Sequence, residues 1–317
     1  MCDMLANNIK ISRKCEGLHA MAHATIGSAE VFGLHHAHAM TGEAPCWDAR
    51  AGILWWIDIQ GQRLLGHVPE SGANLEYALP SMPGLVVCRR RGGLILGLED
   101  GLYPFATENG LGARLVAIEA DDPRTRINDG KPDAQGRLWF GTMDKTGAGT
   151  PIGALYRLDL DGTLEKIRTD IRIPNAIDFS PDGSQFYFCD TRTHRIECFP
   201  YASANGALGP AKVFAAYPDT ISPDGVCIDR EGGVWIALVD AARLERRLPD
   251  GSLDTVVELP VSRPTMAMLG GNDGRTLFVV SQRRFLSAAQ LARQPLAGDL
   301  LALRVRIPAK EACFASL

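Results

Sequence analysis

Four side chains that can offer oxygen to a cation, Glu43, Asn128, Asn175 and Asp224, stand at one register of a phrase that recurs along the chain. The copies read DARAGILWW (48–56), RRRGGLILG (89–97), DAQGRLWFG (133–141), SPDGSQFYF (180–188), DREGGVWIA (229–237) and GNDGRTLFV (271–279). Eight or nine residues before the turn glycine of each copy lie Glu43, Gly84, Asn128, Asn175, Asp224 and Met266. Asp, Asn and Gly also make ordinary turns where strands start, so any one of them alone reads as structural. Four oxygen donors at one register favour a shared site, because burying them without a common partner is costly. Two carboxylates with one or two amide oxygens, and no Cys or His at equivalent points, suit a hard divalent cation such as Ca2+, Mg2+ or Mn2+.

The phrase also dictates what positions these residues. Each copy is a polar turn with glycine followed by an aromatic and branched apolar run suited to a strand. The glycines Gly52, Gly92, Gly136, Gly183, Gly232 and Gly274 are separated by 40, 44, 47, 49 and 42 residues. That period fits one four-stranded blade, and six blades close into a ring. The expected fold is therefore all-β: a six-bladed β-propeller with four-stranded blades around a central channel. In each blade the selected residue starts the strand nearest the axis. Asp161-Gly162 and Asp250-Gly251 read as hairpin turns between outer strands. The segment EVFGLHHAHA (30–39) is expected to pair with C-terminal residues such as LLALRVRI and close the ring. SAAQLARQ (287–294) is the one helical candidate. The division expected is an N-terminal extension over 1–27, loosely ordered, a propeller over 28–308 and a tail over 309–317.

The 317 residues carry 46% hydrophobic side chains and a formal charge of −4. This gives no basic footprint for nucleic acid and no cationic surface for acidic membranes. The eight cysteines are scattered, with neither CxxC nor metal-finger spacing, and read as reduced thiols. Residues 1–27 lack the apolar run of a secretory signal, so a cytoplasmic location is expected. Oligomeric state is not legible.

The phrases G-E-A-P, R-I-N-D-G-K-P-D, G-R-L-W-F-G-T-M-D, G-A-L-Y-R-L-D-L-D-G and P-D-G-V-C-I-D occur in this order. With them the chain resembles the SMP-30/gluconolactonase/regucalcin-like family over about nine-tenths of its length. The resemblance implies a six-bladed propeller that binds one divalent metal in its channel and opens sugar lactones. By that likeness Glu43, Asn175 and Asp224 are metal ligands, and Asp224 is also the general base. Arg126 and Asn128 face the substrate, with Asn128 near the metal. Arg126 enters by the resemblance alone. Ca2+ is the foremost ion, with Zn2+, Mg2+, Mn2+ or Fe2+ as alternatives. The implied reaction is hydrolysis of an aldonolactone, a small-molecule sugar lactone, to its aldonic acid in carbohydrate catabolism. Two rivals are a promiscuous phosphotriester or ester hydrolase and a non-catalytic calcium-binding propeller. The chain departs from the family at Ala176, at Val239-Asp240-Ala241, at Met266 and Met268, and in the loop Lys145–Gly149.

Other residues invite function and read as structure. His35, His36 and His38 belong to the closing strand, far from the axis. Trp55 and Trp56 are blade packing, and Asp48, Asp133 and Asp229 are turn residues. Arg89-Arg90-Arg91 is a solvated hairpin turn, and the glycine-rich stretch 147–153 has no phosphate-loop pattern.

Overall fold

The computed structural model describes residues 23–317. Six antiparallel sheets follow one another around an axis, and each innermost strand packs beside the next in a closed circuit. The innermost strands are Gly42–Asp48, Leu85–Cys88, Thr125–Pro132, Pro174–Phe179, Ser222–Ile228 and Pro264–Gly270. The six phrase glycines all lie in left-handed turns, with φ from 67° at Gly52 to 99° at Gly136. L side chains resist that conformation, which accounts for the recurrence of glycine there.

The strands that follow these turns are buried on both faces, because each blade is packed between two others. Ile53–Asp58 and Leu138–Asp144 therefore read as continuous apolar runs without alternation. The core lies between blades. Trp56, Leu54 and Leu65 of the first blade meet Phe278, Val280 and Leu300 of the sixth. Trp55 and Trp56 are both buried, Trp55 against Tyr77 and Phe105.

The ring closes with Phe32–His35 paired antiparallel to Leu300–Arg304, so the sixth blade takes its outer strand from the start of the chain. This strand is shorter than the expected 30–39. His38 turns left-handed at φ 49°, and His36 and His38 leave the sheet to hold the buried Asp299 carboxylate. Ala24–Ile26 adds a parallel strand outside the fifth blade. Residues 1–22, most of the expected extension, lie outside the described residues. The helix is Ala288–Arg293, started by a reciprocal cap between Ser287 and Gln290.

At the end of the channel where the innermost strands finish, the C-terminal segment crosses from Ala309, bridged to Asp229, to Ala315, bridged to Arg89. This corrects the reading of Arg89–Arg91 as merely solvated. The Arg89 guanidinium donates to the Leu317 carbonyl, and Arg90 Nε donates to Ser316 Oγ at 2.9 Å. Among the described residues all six cysteines are free thiols. No helix among them is long and apolar enough to cross a membrane.

Candidate active site

Glu43, Asn128, Asn175 and Asp224 converge at the opposite end, where the innermost strands begin. Local backbone irregularity aims them inward. Pairing slips between Glu43 and Cys46, Ile127 and Asp129, Asn175 and Asp178, and Pro223 and Val226. Such bulges twist a strand and redirect the side chain that sits on them. Ala44 and Ala176, directly after Glu43 and Asn175, are left-handed at φ 47° and 57°. A non-glycine residue in that region stores strain, and functional sites are where such strain collects.

The remaining two positions of the register are filled by packing. A side chain at Gly84 would collide with the Ile127 carbonyl at 1.9 Å, so this blade brings only backbone to the circuit. Met266 is buried against Gly225, where an added methyl would lie 2.4 Å from it. The glycine of the P-D-G phrase therefore makes room for the sixth blade.

The two carboxylates lack partners. Glu43 Oε2 accepts one hydrogen bond, from the Ala44 amide at 3.0 Å, and Asp224 accepts none from a described residue. Burial, then the charge of Asp224, pushes Glu43 well above the usual carboxylate range. Burial, then Asp129, pushes Asp224 up to about 8. Asp129 lies deeper, accepts from the Ile177 amide at 3.1 Å, and is itself raised to about 6 by burial. Taking charge out of water without pairing it is expensive, so a multivalent cation between these groups would relieve the cost.

The amides are oriented by neighbours. Asn175 Nδ2 donates to Thr191 Oγ1 at 2.8 Å, and that hydroxyl donates onward to the Pro223 carbonyl at 3.0 Å. Asn175 Oδ1 is thereby turned toward Asn128, whose Nδ2 reaches it at 3.0 Å and the Pro174 carbonyl at 2.9 Å. Thr191 escaped the sequence reading, since it follows a blade's second strand and belongs to no repeated register. Arg126 is 6% exposed, and Nη1 donates to its neighbour's Ile127 carbonyl at 2.8 Å. Burial lowers its pKa to about 10, and among the described residues no carboxylate pairs with it.

The donor set suits a hard cation: two unpaired carboxylates and amide oxygens, with no soft ligand. Among the described residues no trio of His, Cys, Asp or Glu forms a metal cluster, so amide donors would have to complete this one. Behind the site, toward the C-terminal segment, lies a cavity of about 110 Å3. Its lining includes Cys46, Cys88, Lys131, Cys227, Met266 and Cys313, but none of the four converging side chains.

Residues 41–283 match the model of the SMP-30/gluconolactonase/LRE-like region. The chain is 34% identical over 276 residues to a 6-deoxy-6-sulfogluconolactonase of Pseudomonas putida, covering 85% of this chain and 93% of that one. It is 35% identical over 270 residues to an L-arabinolactonase of Azospirillum brasilense, covering 84% and 88%. The structure of regucalcin from Agrobacterium tumefaciens, described as a calcium-binding protein, superposes with a TM-score of 0.88 at 29% identity. It covers 92% of this chain and 99% of its own.

Proposed function

The chain belongs to the SMP-30/gluconolactonase/LRE-like family, and we propose that it hydrolyses an aldonolactone to its aldonic acid with one divalent cation held by Glu43, Asn175 and Asp224. The observation that carries this reading is a pair of mutually repelling carboxylates, Asp224 buried and Glu43 half-buried, neither in a salt bridge, beside a buried arginine that makes none either. A bound cation would polarise the lactone carbonyl and make a water molecule more acidic.

The remaining roles belong to the chain's own residues. Asp224, the carboxylate with no hydrogen-bond donor among the described residues, accepts the proton of the attacking water. Arg126, with donors to spare beyond the one on the Ile127 carbonyl, hydrogen-bonds the substrate. Asn128, its Nδ2 already engaged, keeps its carbonyl oxygen for a sugar hydroxyl or the cation. Lactones of this kind arise when an aldose is oxidised at its anomeric carbon. The proposed place is therefore behind a sugar dehydrogenase in carbohydrate catabolism. The free thiols support a reducing compartment, the cytoplasm.

The test is hydrolysis by chelator-stripped protein, followed by acid release, with Ca2+, Mg2+, Mn2+, Zn2+ and Fe2+ restored one at a time. Ca2+ comes first because the similar regucalcin structure is described as calcium-binding. The panel holds glucono-, galactono-, xylono- and arabinonolactones and, after the Pseudomonas relative, 6-deoxy-6-sulfogluconolactone. Activity should vanish on chelation and return with an ion. Turnover that survives complete chelation would remove the cation from the mechanism, and inertness toward every lactone would remove the reaction.

A further inference from the structure

The loop after the second strand of the sixth blade carries an arginine across the channel mouth. Blades three and six face each other across the axis. From the sixth, the Arg284 guanidinium reaches the loop of the third, where a methyl on Gly147 would lie 3.5 Å from its nitrogen. It therefore spans the opening above the site, close enough to Arg126 to lower that residue's pKa by charge repulsion. Two other cations of the rim are engaged: Lys145 pairs with Glu99 at 2.8 Å, and Arg263 pairs with Asp240. Among the described residues the Arg284 side chain has no hydrogen-bond or ion-pair partner, and Glu99, the rim carboxylate that acts on Arg126, is paired with Lys145.

The loop is built to hold this arrangement. The amides of Arg283 and Arg284 both donate to the Met40 carbonyl, at 3.0 and 2.9 Å. The Gln282 amide donates to the Arg263 carbonyl at 3.0 Å. Phe285 follows in a left-handed conformation, φ 70°, with 69% of its surface exposed. Its ring carries the Arg284 guanidinium at 4.6 Å and that of Arg263 at 5.5 Å. A large aromatic residue that is both strained and exposed gains nothing for folding; here it fixes the direction of an arginine.

We infer that Arg284, braced by Phe285 and acting with Arg126, clamps a negatively charged substituent on the sugar, remote from the lactone carbonyl that faces Glu43 and Asp224. The inference rests on the lactonase reading and adds a substrate class to it: sugar lactones that bear a sulfonate, phosphate or carboxylate at the far end of the chain. A planar guanidinium offers two parallel donors to such a group, and two adjacent guanidiniums are relieved by the anion that separates them. A neutral sugar would leave the two cations facing one another.

The experiment compares glucono-1,5-lactone with its 6-phosphate in the native protein, Arg284→Ala and Arg284→Lys. The native enzyme should favour the phosphate by about tenfold or more in kcat/KM, and less so as salt is raised. Arg284→Ala should reduce that ratio by about tenfold, mainly through KM of the phosphate, and Arg284→Lys should retain part of it. A second measurement, calorimetric binding of glucitol 6-phosphate against glucitol, involves no hydrolysis. Tighter binding of the phosphate that is lost in Arg284→Ala supports the clamp even if no lactone is turned over, which would sink the lactonase reading alone. Lactone hydrolysis with no preference for the anion, or a preference that Arg284→Ala leaves intact, overturns the clamp and spares the lactonase reading.

Discussion

At the channel end crossed by the C-terminal segment, Asp133 and Asp229 are completely enclosed and completely engaged. Asp133 accepts the amides of Gln135, Gly136 and Arg137 on one oxygen, and Arg137 Nε and the Tyr201 hydroxyl on the other. Asp229 takes the amides of Glu231 and Gly233 on one oxygen, and the Trp235 indole and Arg246 guanidinium on the other. At the mouth end, Glu43 has a single amide and Asp224 has nothing. Residues of one chemical class, on the same innermost strands or the turns that end them, are thus held in opposite states. The engaged carboxylates stabilise their own blades. The unengaged ones raise the free energy of the folded chain and are explained by a ligand, as local inconsistency with folding is the mark of a working site.

The contrast breaks if the two ends respond alike to loss of the carboxylate. Asp229→Ala strips the buried Arg246 of its enclosed partner, leaving only the more exposed Asp254 and Glu231. It should cost about 3 kcal/mol in denaturant unfolding, the low end for a broken buried pair. Asp224→Ala should leave unfolding unchanged or slightly improved while lactone turnover falls by about 10^3-fold. Comparable stability losses in the two variants would mean that Asp224 is structural.

The pH dependence of stability sharpens the same comparison. Without a cation, Asp224 is raised to about 8 and Glu43 is raised by burial and by Asp224. Both hold protons in the folded chain at pH values where the unfolded chain has released them. The folded state then binds more protons, so the metal-free protein should lose stability as pH rises from about 4 toward about 8. Saturating Ca2+ should flatten that slope by favouring the ionised carboxylates. Melting temperatures in chelator and in Ca2+, taken every half unit across this window, measure it. A melting temperature in chelator that climbs with pH would contradict the raised carboxyls.

Much of this was legible because a repeat turns distance along the chain into position around an axis. The phrase glycines marked the turns, and the register eight or nine residues earlier selected Glu43, Asn128, Asn175 and Asp224, which meet in space. Arg126 lies two residues off that register, so only the family likeness pointed to it. Thr191, Arg284 and Phe285 lie in loops that differ from blade to blade, where no period can align them. The docking of the C-terminus on Arg89 and Arg90 is a contact across more than two hundred residues, and the arginine run alone carries no sign of it. Nor could the histidines announce Asp299, which lies at the far end of the chain.

The orientation of the Asn175 amide offers a finer test at the mouth end. Thr191→Val keeps the side-chain shape but removes the acceptor for Asn175 Nδ2. Without it, nothing fixes which end of the amide faces Asn128 and the channel. Calcium affinity should weaken about tenfold, in the range for loss of a partner behind a metal ligand. Unfolding should change by only about 1 kcal/mol. Unaltered affinity would show that the Asn128 contact alone holds Asn175 in place.

The smallest expected effect concerns the backbone beneath that ligand. Ala176 is buried and left-handed at φ 57°, a conformation in which its methyl crowds the backbone. Ala176→Gly removes the crowding but gives the unfolded chain more freedom, so the two effects partly cancel. The net should be a stabilisation of no more than about 1 kcal/mol, read in denaturant unfolding. The same change at Ala134, an exposed residue without a left-handed backbone, supplies only the entropy cost and should destabilise slightly. A gain at position 176 with a loss at 134 locates the strain at the site. If both variants lose stability equally, the left-handed turn after Asn175 stores nothing, and the bulge alone aims the ligand.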